Sequence, residues 1–411
     1  MKFRNVILFA AILLLVSVVF YAQTPVIQES ADFLKTPANM PLGEVAGVAT
    51  NSKGHVFIYE RAGTLQTTLG TSRTFPHGTS KLLEFDQNGK FVRELGRDIY
   101  AFAYAQSVRV DPQDNIWVVD QYSNMVVKFD PEGRVLLTFG RRPETSRTPN
   151  VTYAAAGAPA AVAGGGAAGG GNRGGAPQLP AGAAGAAAGG NRGAAAAGGG
   201  AGAAAPGGGN RGGAAAGAGA PRGGGASAGA AGDSFNRPTD IAWDAAGNIF
   251  VADGFGNVPR ILKMDKNGKF LKTFGGAGSG PGQFNQLASL VIDREGNLYA
   301  ADKGNNRIQV FDNNGTFKSE IKNVGSPAAL CITQGPRQVL FSSNSNTLDD
   351  LDHGEIYMLS LDGKINGSFG SAGHALKEFS GVNSMDCRSE DTLFVGELGN
   401  WRVQKIKLGK K

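Results

Sequence analysis

Residues 239–275 read TDIAWDAAGNIFVADGFGNVPRILKMDKNGKFLKTFG, and this stretch decides the fold. Four short apolar segments are separated by turns rich in Asp, Asn and Gly, residues that tolerate a left-handed backbone and favour tight bends. The same order of strands and turns occurs in residues 104–140 and 288–321. Weaker copies begin at Ala46, Ala328 and Asn383. Four-stranded units repeating every 40–55 residues or so are typical of β-propellers. The sequence therefore predicts an all-β propeller with six blades.

The ring needs a closing strand, because the last unit ends after its third strand, near Lys407. We expect the segment Ala31–Lys35 to supply the missing fourth strand. Residues 141–234 are rich in Gly and Ala, above all from about residue 150 to 232, and such a composition cannot bury enough apolar surface to offset the entropy of ordering. They predict a flexible, exposed insertion between blades 2 and 3. The propeller is then divided between residues 23–140, with blades 1 and 2 and the closing strand, and residues 235–411, with blades 3 to 6.

The first 22 residues have the order of a secretory signal. Lys2 and Arg4 precede an apolar run from Val6 to Tyr21, and a small residue, Ala22, follows. Residues 1–22 therefore predict a cleaved signal peptide and a periplasmic or secreted protein. An uncleaved N-terminal membrane anchor is the alternative, because the apolar run approaches the length that spans a bilayer.

The formal net charge is +6, and part of it comes from arginines scattered through the Gly/Ala-rich segment. Without a clustered basic stripe, this charge indicates solubility, and we expect no nucleic-acid partner. After signal cleavage we expect a monomer without membrane contact. The two cysteines, Cys331 and Cys387, lie on inner strands of neighbouring units, one register apart. Their side chains should face opposite sides of their strands, whereas a disulfide needs Cα atoms within about 7 Å. The pattern predicts two buried free thiols.

Several stretches resemble, in the same order, the NHL-repeat propeller of the peptidyl-α-hydroxyglycine α-amidating lyases. They are residues 43–48, 56–61, 238–242, 253–257, 281–284, 301–302 and 306–309. The resemblance implies an enzyme that cleaves the α-hydroxyglycine end of a peptide into a peptide amide and glyoxylate. It also implies a zinc ion on three histidines, a tyrosine base, an arginine that holds the substrate and a calcium ion on the axis. The zinc would lower the pKa of the substrate hydroxyl.

Most of the implied site is missing when the family's residues are carried over to this chain. The arginine matches Arg61, which is the one catalytic candidate, although it could equally neutralise Glu60 or Asp240. The three zinc histidines fall on Gln106, Ala288 and Asn383. The tyrosine falls on Phe255, the calcium aspartate on Ser384, and the two cysteines of a family disulfide on Asn236 and Gly256.

The repeats give the same result without the family. Five residues before the end of each first strand, the six units carry Ala46, Gln106, Thr239, Ala288, Ala328 and Asn383. These positions should form a ring at one end of the channel, and none is His, Cys, Asp or Glu, the ligands that zinc prefers. At the next position Asp240 is the only charged residue, and none of the four histidines lies on an inner strand. We therefore expect no zinc cofactor, while a structural calcium ion stays open.

The sequence favours a binding module built on a lyase-like scaffold. Its ligand would be a peptide, a glycan or a small molecule at the channel mouth, or a protein partner. The residues expected to line the mouth are Gln106, Thr239, Asp240, Phe255, Asn383 and Ser384, beside Arg61. A lyase with an altered, zinc-independent site is the alternative. A calcium-dependent lactonase or sugar hydrolase is a weaker one, because Asp240 stands nearly alone.

Overall fold

The computed structural model describes residues 27–30, 33–62, 67–69, 73–75, 79–141, 234–345, 353–389 and 391–408. The predicted signal peptide and residues 142–233 of the predicted insertion lie outside these ranges. Within them, the only helical segment is a 3₁₀ turn at Lys303–Asn305. No helix in this part of the chain is long and apolar enough to cross a membrane.

Six four-stranded antiparallel sheets form the six predicted blades. Blade 1 contains β2 (Glu44–Thr50), β3 (Val56–Ala62), β6 (Thr79–Phe85) and β7 (Phe91–Leu95), with a hairpin of β4 (Thr67–Leu69) and β5 (Arg73–Phe75) between β3 and β6. Blade 2 contains β8 (Ala105–Val110), β9 (Ile116–Asp120), β10 (Met125–Phe129) and β11 (Val135–Gly140). Blade 3 contains β12 (Asp240–Trp243), β13 (Ile249–Asp253), β14 (Arg260–Met264) and β15 (Phe270–Gly275).

The second half of the ring follows the same plan. Blade 4 contains β16 (Leu287–Ile292), β17 (Leu298–Asp302), β18 (Arg307–Phe311) and β19 (Phe317–Ile321). Blade 5 contains β20 (Pro327–Ile332), β21 (Leu340–Asn344), β22 (Ile356–Leu359) and β23 (Ile365–Phe369). A short parallel pair, β24 (Ser371–Ala372) and β25 (Glu378–Phe379), precedes blade 6. Blade 6 contains β26 (Val382–Asp386), β27 (Thr392–Glu397), β28 (Arg402–Leu408) and the N-terminal strand β1 (Ile27–Ser30).

The ring is closed by an N-terminal strand, but not by the predicted one. β1 pairs with β28, from Ile27 opposite Leu408 to Ser30 opposite Lys405. The expectation that Ala31–Lys35 forms this strand is therefore wrong. Phe33 and Leu34, within the predicted segment, instead pack against the core between blades 6 and 1. The backbone N–H of Lys35 then bonds to Gly89 of blade 1.

Apolar side chains fill the space between each pair of neighbouring blades, in six clusters around the ring. The alternation of a β-strand produces this arrangement, because successive side chains point to opposite faces of the sheet. In β3, Phe57 and Tyr59 face blade 2, whereas Val56 and Ile58 face blade 6. Each such side chain contributes about 1.5–3 kcal/mol when it is fully buried. The blades are thus held together mainly by these inter-blade cores.

A carboxylate or amide at the end of the second strand fixes the loop that leads into each blade. Its oxygen accepts a hydrogen bond from a backbone N–H 16 to 18 residues upstream in the chain. The pairs are Glu60 with Gly43, Asp120 with Tyr104 and Ala103, Asp253 with Asn236, Asp302 with Asn285, Asn344 with Ser326 and Glu397 with Ser380. These equivalent bonds hold the six loops, which all lie at the same end of the channel, in equivalent positions on their blades.

Cys331 and Cys387 form a disulfide, with their Cα atoms 6.0 Å apart, so the prediction of two free thiols is wrong. Cys331 lies within β20, whereas Cys387 follows the last residue of β26. Beyond the end of a strand, the pleat no longer determines which way a side chain points. Both inner strands also contain a register irregularity, which upsets a simple count along the repeat.

Candidate functional site: the channel mouth

The inner strands of all six blades begin at one end of the channel, which we call the mouth, and end at the other, which we call the base. The hydrogen bonds of Asn383 connect part of the predicted ring at the mouth. Its Nδ2 donates to the carbonyl oxygen of Ala46 in blade 1 at 2.6 Å and to that of Gln106 in blade 2 at 2.9 Å. Three of the six ring positions are thus joined directly. The side-chain amide of Asn383 thus donates its protons to backbone carbonyl groups.

Other predicted mouth residues also connect neighbouring blades. Thr239 donates its hydroxyl proton to the carbonyl oxygen of Leu287 at 2.8 Å, and the backbone N–H of Val48 donates to the Ser384 hydroxyl at 3.0 Å. Thr239 and Ser384 are buried, whereas Phe255 is only half-buried and packs against the core between blades 4 and 5. The structure brings these residues to the mouth. Their assignment as ligand-binding groups stays a prediction.

Arg61 is held at the mouth by four hydrogen bonds. Nε donates to the carbonyl oxygen of Ala105 at 2.7 Å, and Nη2 donates to Oε1 of Gln106 at 3.1 Å. Nη1 donates to the Tyr104 hydroxyl at 2.8 Å and to the Glu44 carboxylate at 3.2 Å. The carboxylate partner is therefore Glu44, and not Glu60 or Asp240. Gln106, at a position where the resemblance implies a zinc ligand, here orients a guanidinium.

Arg61 also begins a stack of two aromatic rings between two guanidinium groups, which we call the mouth column. Its guanidinium carbon lies 3.8 Å from the centre of the Tyr104 ring. Tyr104 stacks on Tyr122 with ring centres 4.3 Å apart, and the guanidinium of Arg237 lies 5.8 Å from the Tyr122 ring. Arg237 Nη2 donates to Gln121 Oε1 at 3.1 Å. Stacked rings contribute about 0.5–1.5 kcal/mol, and cation–π contacts contribute about 0.5–2 kcal/mol.

The mouth has a further basic residue, Lys303 of blade 4. It directly follows the carboxylate that ends strand two, as Arg61 does in blade 1. Burial lowers the pKa of the Lys303 ammonium. Burial raises the pKa of the Tyr104 hydroxyl, although the charge of Arg61 acts in the opposite direction. The mouth thus combines cations with phenol groups, and of these residues sequence reasoning identified only Arg61.

Below the mouth, Asp240 forms a buried ion pair with Arg109. Arg109 Nη2 lies 2.6 Å from Oδ2 of Asp240, and Nε donates to Oδ1 at 2.9 Å. The hydroxyls of Ser107 and Ser289 donate to the same carboxylate, at 2.8 and 2.7 Å. Burial, the largest single influence, would raise the pKa of Asp240. Arg109, the backbone N–H of Leu290 and the Ser289 hydroxyl together outweigh it, so this pKa is lowered.

Arg109 crosses the axis of the ring. It extends from blade 2 to Asp240 in blade 3 and Ser289 in blade 4, and it approaches the carbonyl oxygens of Leu330 in blade 5 at 3.4 Å and Met385 in blade 6 at 3.3 Å. One side chain thus contacts five of the six blades, counting its own. Asp240, predicted at the mouth, is therefore part of an axial plug that separates the mouth from the base.

The implied zinc ion does not fit the described residues. Among them, no group of three or more His, Cys, Asp or Glu side chains could hold a metal ion. Gln106 binds Arg61, Asn383 donates to two carbonyl groups, and Ala288 has no ligand atom. His55 bonds to Glu84 and His374 to Asn400, both away from the ring. No zinc-dependent step can be derived from this arrangement.

We predict that the protein retains little zinc. After loading with zinc or calcium in separate samples and desalting, mass spectrometry should find less than about 0.1 zinc per chain, because catalytic zinc needs three convergent protein ligands. The calcium sample tests the structural site that the sequence leaves open. Near-stoichiometric zinc would contradict the prediction and favour lyase chemistry.

Comparison with known proteins places this geometry among propellers. A family model described as a 6-bladed β-propeller matches residues 235–385. NHL repeat-containing protein 3 of Homo sapiens is 32% identical over 117 residues, covering 28% of this chain and 32% of that protein. Peptidyl-alpha-hydroxyglycine alpha-amidating lyase 1 of Drosophila melanogaster is 24% identical over 330 residues, covering 72% of this chain and 46% of that protein. The chain thus spans less than half the length of either relative.

A solved structure agrees with the fold. A structural genomics protein of unknown function from Bacteroides thetaiotaomicron matches with a TM-score of 0.50 and 9% identity, over 93% of this chain and 75% of that one. The fold and these similarities together define the class: a six-bladed β-propeller with NHL-type repeats. Within that class, the chain is distantly related to the amidating lyases.

Proposed function

We propose that this propeller is an exported, non-catalytic binding module that takes a ligand at the mouth. The mouth column carries the proposal. Arg61 and Tyr104 are fixed in orientation by several hydrogen bonds, and Tyr122 and Arg237 extend the stack toward the exposed rim. A fixed arrangement of cations and aromatic rings reduces the entropy lost on binding.

The ligand class follows from the charges at the mouth. Arg61, Arg237 and Lys303 are basic, and Glu44 is the carboxylate paired with the first of them. We propose a peptide that presents an acidic group to the column. A glycan, another small molecule or a protein partner on the rim are the alternatives if neither peptide binds in the test below.

Export is part of the proposal. The order of residues 1–22 supports it, and so does the Cys331–Cys387 disulfide, because disulfides persist mainly in oxidising compartments. A periplasmic or secreted monomer without a nucleic-acid partner remains our expectation.

We predict that the mouth distinguishes a carboxylate from an amide. A short acetylated peptide with a free C-terminal carboxylate should bind roughly tenfold more tightly by calorimetry than the same peptide as its carboxamide, because charge-assisted hydrogen bonds are about twice as strong as neutral ones. Tyr122→Ala should remove most of this preference. Leu136→Ala, an exposed site on the outer edge of the same blade, is the matched control. Equal binding of the two peptides, or no binding of either, would contradict the proposed ligand class.

A zinc-independent lyase is the second candidate, and one observation favours it. The similarity to the Drosophila melanogaster lyase covers 72% of this chain, and Arg61 lies at the mouth as that resemblance implies. Against it, Phe255 has no hydroxyl to act as a base. The test is the release of glyoxylate from an α-hydroxyglycine peptide in the presence of a chelator. Glyoxylate release that Arg61→Ala abolishes would support the lyase. Release no faster than in buffer alone would favour the binding module.

A further inference from the structure

The base of the channel contains a cavity, which the axial plug separates from the mouth. Its volume is about 220 Å³, and it is lined by the last residues of the inner strands of blades 2 to 6. Arg109 forms part of its lining, and so does the Cys331–Cys387 disulfide. None of the predicted mouth residues lines this cavity. The ion pair between Arg109, which lines the cavity, and Asp240 connects the two places. The cavity is therefore a distinct place for a ligand.

Apolar side chains form a little more than half of the surface of this base cavity. Ile241 and Leu290 are buried there, and Val291, Ile292 and Ile332 are half-buried. These side chains come from three different blades, 3, 4 and 5. A concave surface that combines apolar side chains with a few polar groups is the usual form of a small-molecule site.

The carboxylates in the lining are already engaged. Asp244 accepts hydrogen bonds from the side chains of Asn248 and Asn313, at 2.8 and 3.1 Å. Asp386 accepts from the backbone N–H and the hydroxyl of Thr50, at 3.0 and 2.8 Å. The cavity thus offers a ligand few free acceptors.

The two guanidinium groups in the lining have donors to spare among the described residues. A guanidinium carries five N–H groups. Nη1 of Arg109, with two of them, makes a single 3.3 Å bond to the carbonyl oxygen of Met385. Nη2 of Arg388 donates to Val110 at 2.8 Å, and its Nη1 lies 3.6 Å from the Asp114 carboxylate. The hydrogen-bonding groups of the base cavity that remain available to a ligand are therefore donors.

We propose that the base cavity binds a small, uncharged molecule with an apolar body and one carbonyl-type acceptor. The acceptor bonds to Arg109 or Arg388, and the body packs against the apolar walls. A charged ligand is disfavoured because Asp240, Asp114 and Asp386 already balance both guanidinium groups, so an added charge would be buried without a partner. The volume fits roughly ten non-hydrogen atoms, since drug-sized ligands occupy pockets of about 300–1,000 Å³.

The test uses 4-fluoroacetophenone as the probe and ¹⁹F NMR of the full chain as the readout. We expect saturable binding with a Kd of about 1 mM, as suits a ligand of this size. The matched probe 1-ethyl-4-fluorobenzene, which lacks the carbonyl oxygen, should bind at least about tenfold more weakly, because it leaves the guanidinium donors unpaired. Absence of saturable binding, or equal binding of the two probes, would overturn the proposal.

A cavity-filling variant identifies the place of binding. Val291→Phe should weaken binding of 4-fluoroacetophenone at least about tenfold, because the larger side chain occupies the cavity. Val258→Phe, at an exposed position beside the mouth, is the control and should leave the affinity unchanged. Ile292→Phe replaces Val291→Phe if that variant does not fold. Unchanged binding in the folded cavity-filling variant would place the probe elsewhere and overturn the assignment.

Discussion

Replacing Asp240 with alanine should lower the free energy of unfolding by about 3–5 kcal/mol, because it leaves Arg109 as a buried charge without its partner. Asp240 is buried and receives both nitrogens of the Arg109 fork, together with the hydroxyls of Ser107 and Ser289. The loss should appear in equilibrium unfolding by urea as a lower midpoint with an unchanged slope.

The double variant Arg109→Met/Asp240→Ala is the control that separates a lost ion pair from a lost fold. Replacing both members of a buried ion pair with uncharged residues is often nearly neutral. We therefore expect the double variant to regain at least half of the stability that Asp240→Ala loses. If the double variant is as unstable as the sum of the two single variants, the axial plug is not an ion pair of the kind described.

The same pair should make stability depend on pH in a defined direction. Burial tends to raise the pKa of Asp240, but Arg109 holds it below its usual value. A lowered pKa contributes stability that is present above the unfolded value, about 4, and that is lost as pH falls through the folded value. The difference in stability between the wild type and Asp240→Asn should therefore shrink at acid pH. A constant difference from pH 7 to pH 2 would contradict this.

Three other buried carboxylates change the stability with pH in the opposite direction. Burial raises the pKa of Glu60, Asp120 and Asp253, which lie at or near the ends of the second strands of blades 1 to 3. Acids with raised pKa values contribute stability that is present at low pH and decreases as pH rises through the folded value. The comparison of wild type with Asp240→Asn at each pH removes these three contributions, since both proteins share them.

The number of blades could be predicted from the sequence because every blade repeats the same local chemistry. Each turn has its own Asp, Asn or Gly, and each strand its own alternation of apolar residues, so the six units needed no information about one another. The ring at the mouth could also be predicted, because counting along a repeat places equivalent residues at equal height. The bonds of Asn383 to Ala46 and Gln106 place these three positions at the same level along the channel axis.

Arg109 could not be found by the same counting. It lies three residues beyond Gln106 on β8, so a comparison limited to the ring and the next position does not include it. Its long side chain reaches across the axis to Asp240, 131 residues away in the chain. The mouth column could not be found by counting either, because Tyr104 precedes one strand and Tyr122 follows another. Such contacts depend on side-chain length and loop shape, which the repeat pattern does not encode.

The Cys331–Cys387 disulfide should contribute about 2–4 kcal/mol to stability, because it ties two inner strands across a sequence separation of 56 residues. A loop of this length loses much of its freedom in the unfolded chain when its ends are joined. We expect the midpoint of thermal unfolding of the wild type to fall by several degrees when a phosphine reductant is added. The variant Cys331→Ala/Cys387→Ala should show the lower midpoint with or without reductant.

The outcome also bears on the base cavity, since the disulfide lines it. Cys331 and Cys387 are buried, so reduction should be slow in the folded protein and should proceed mainly after local opening. Once reduced, blades 5 and 6 lose their covalent link at the base and keep their packing and their bonds to Arg109. Binding of 4-fluoroacetophenone should then weaken in parallel with the thermal midpoint. A midpoint that does not respond to reductant after complete reduction, verified by thiol titration, would show that the inter-blade core alone determines the stability of this end of the channel.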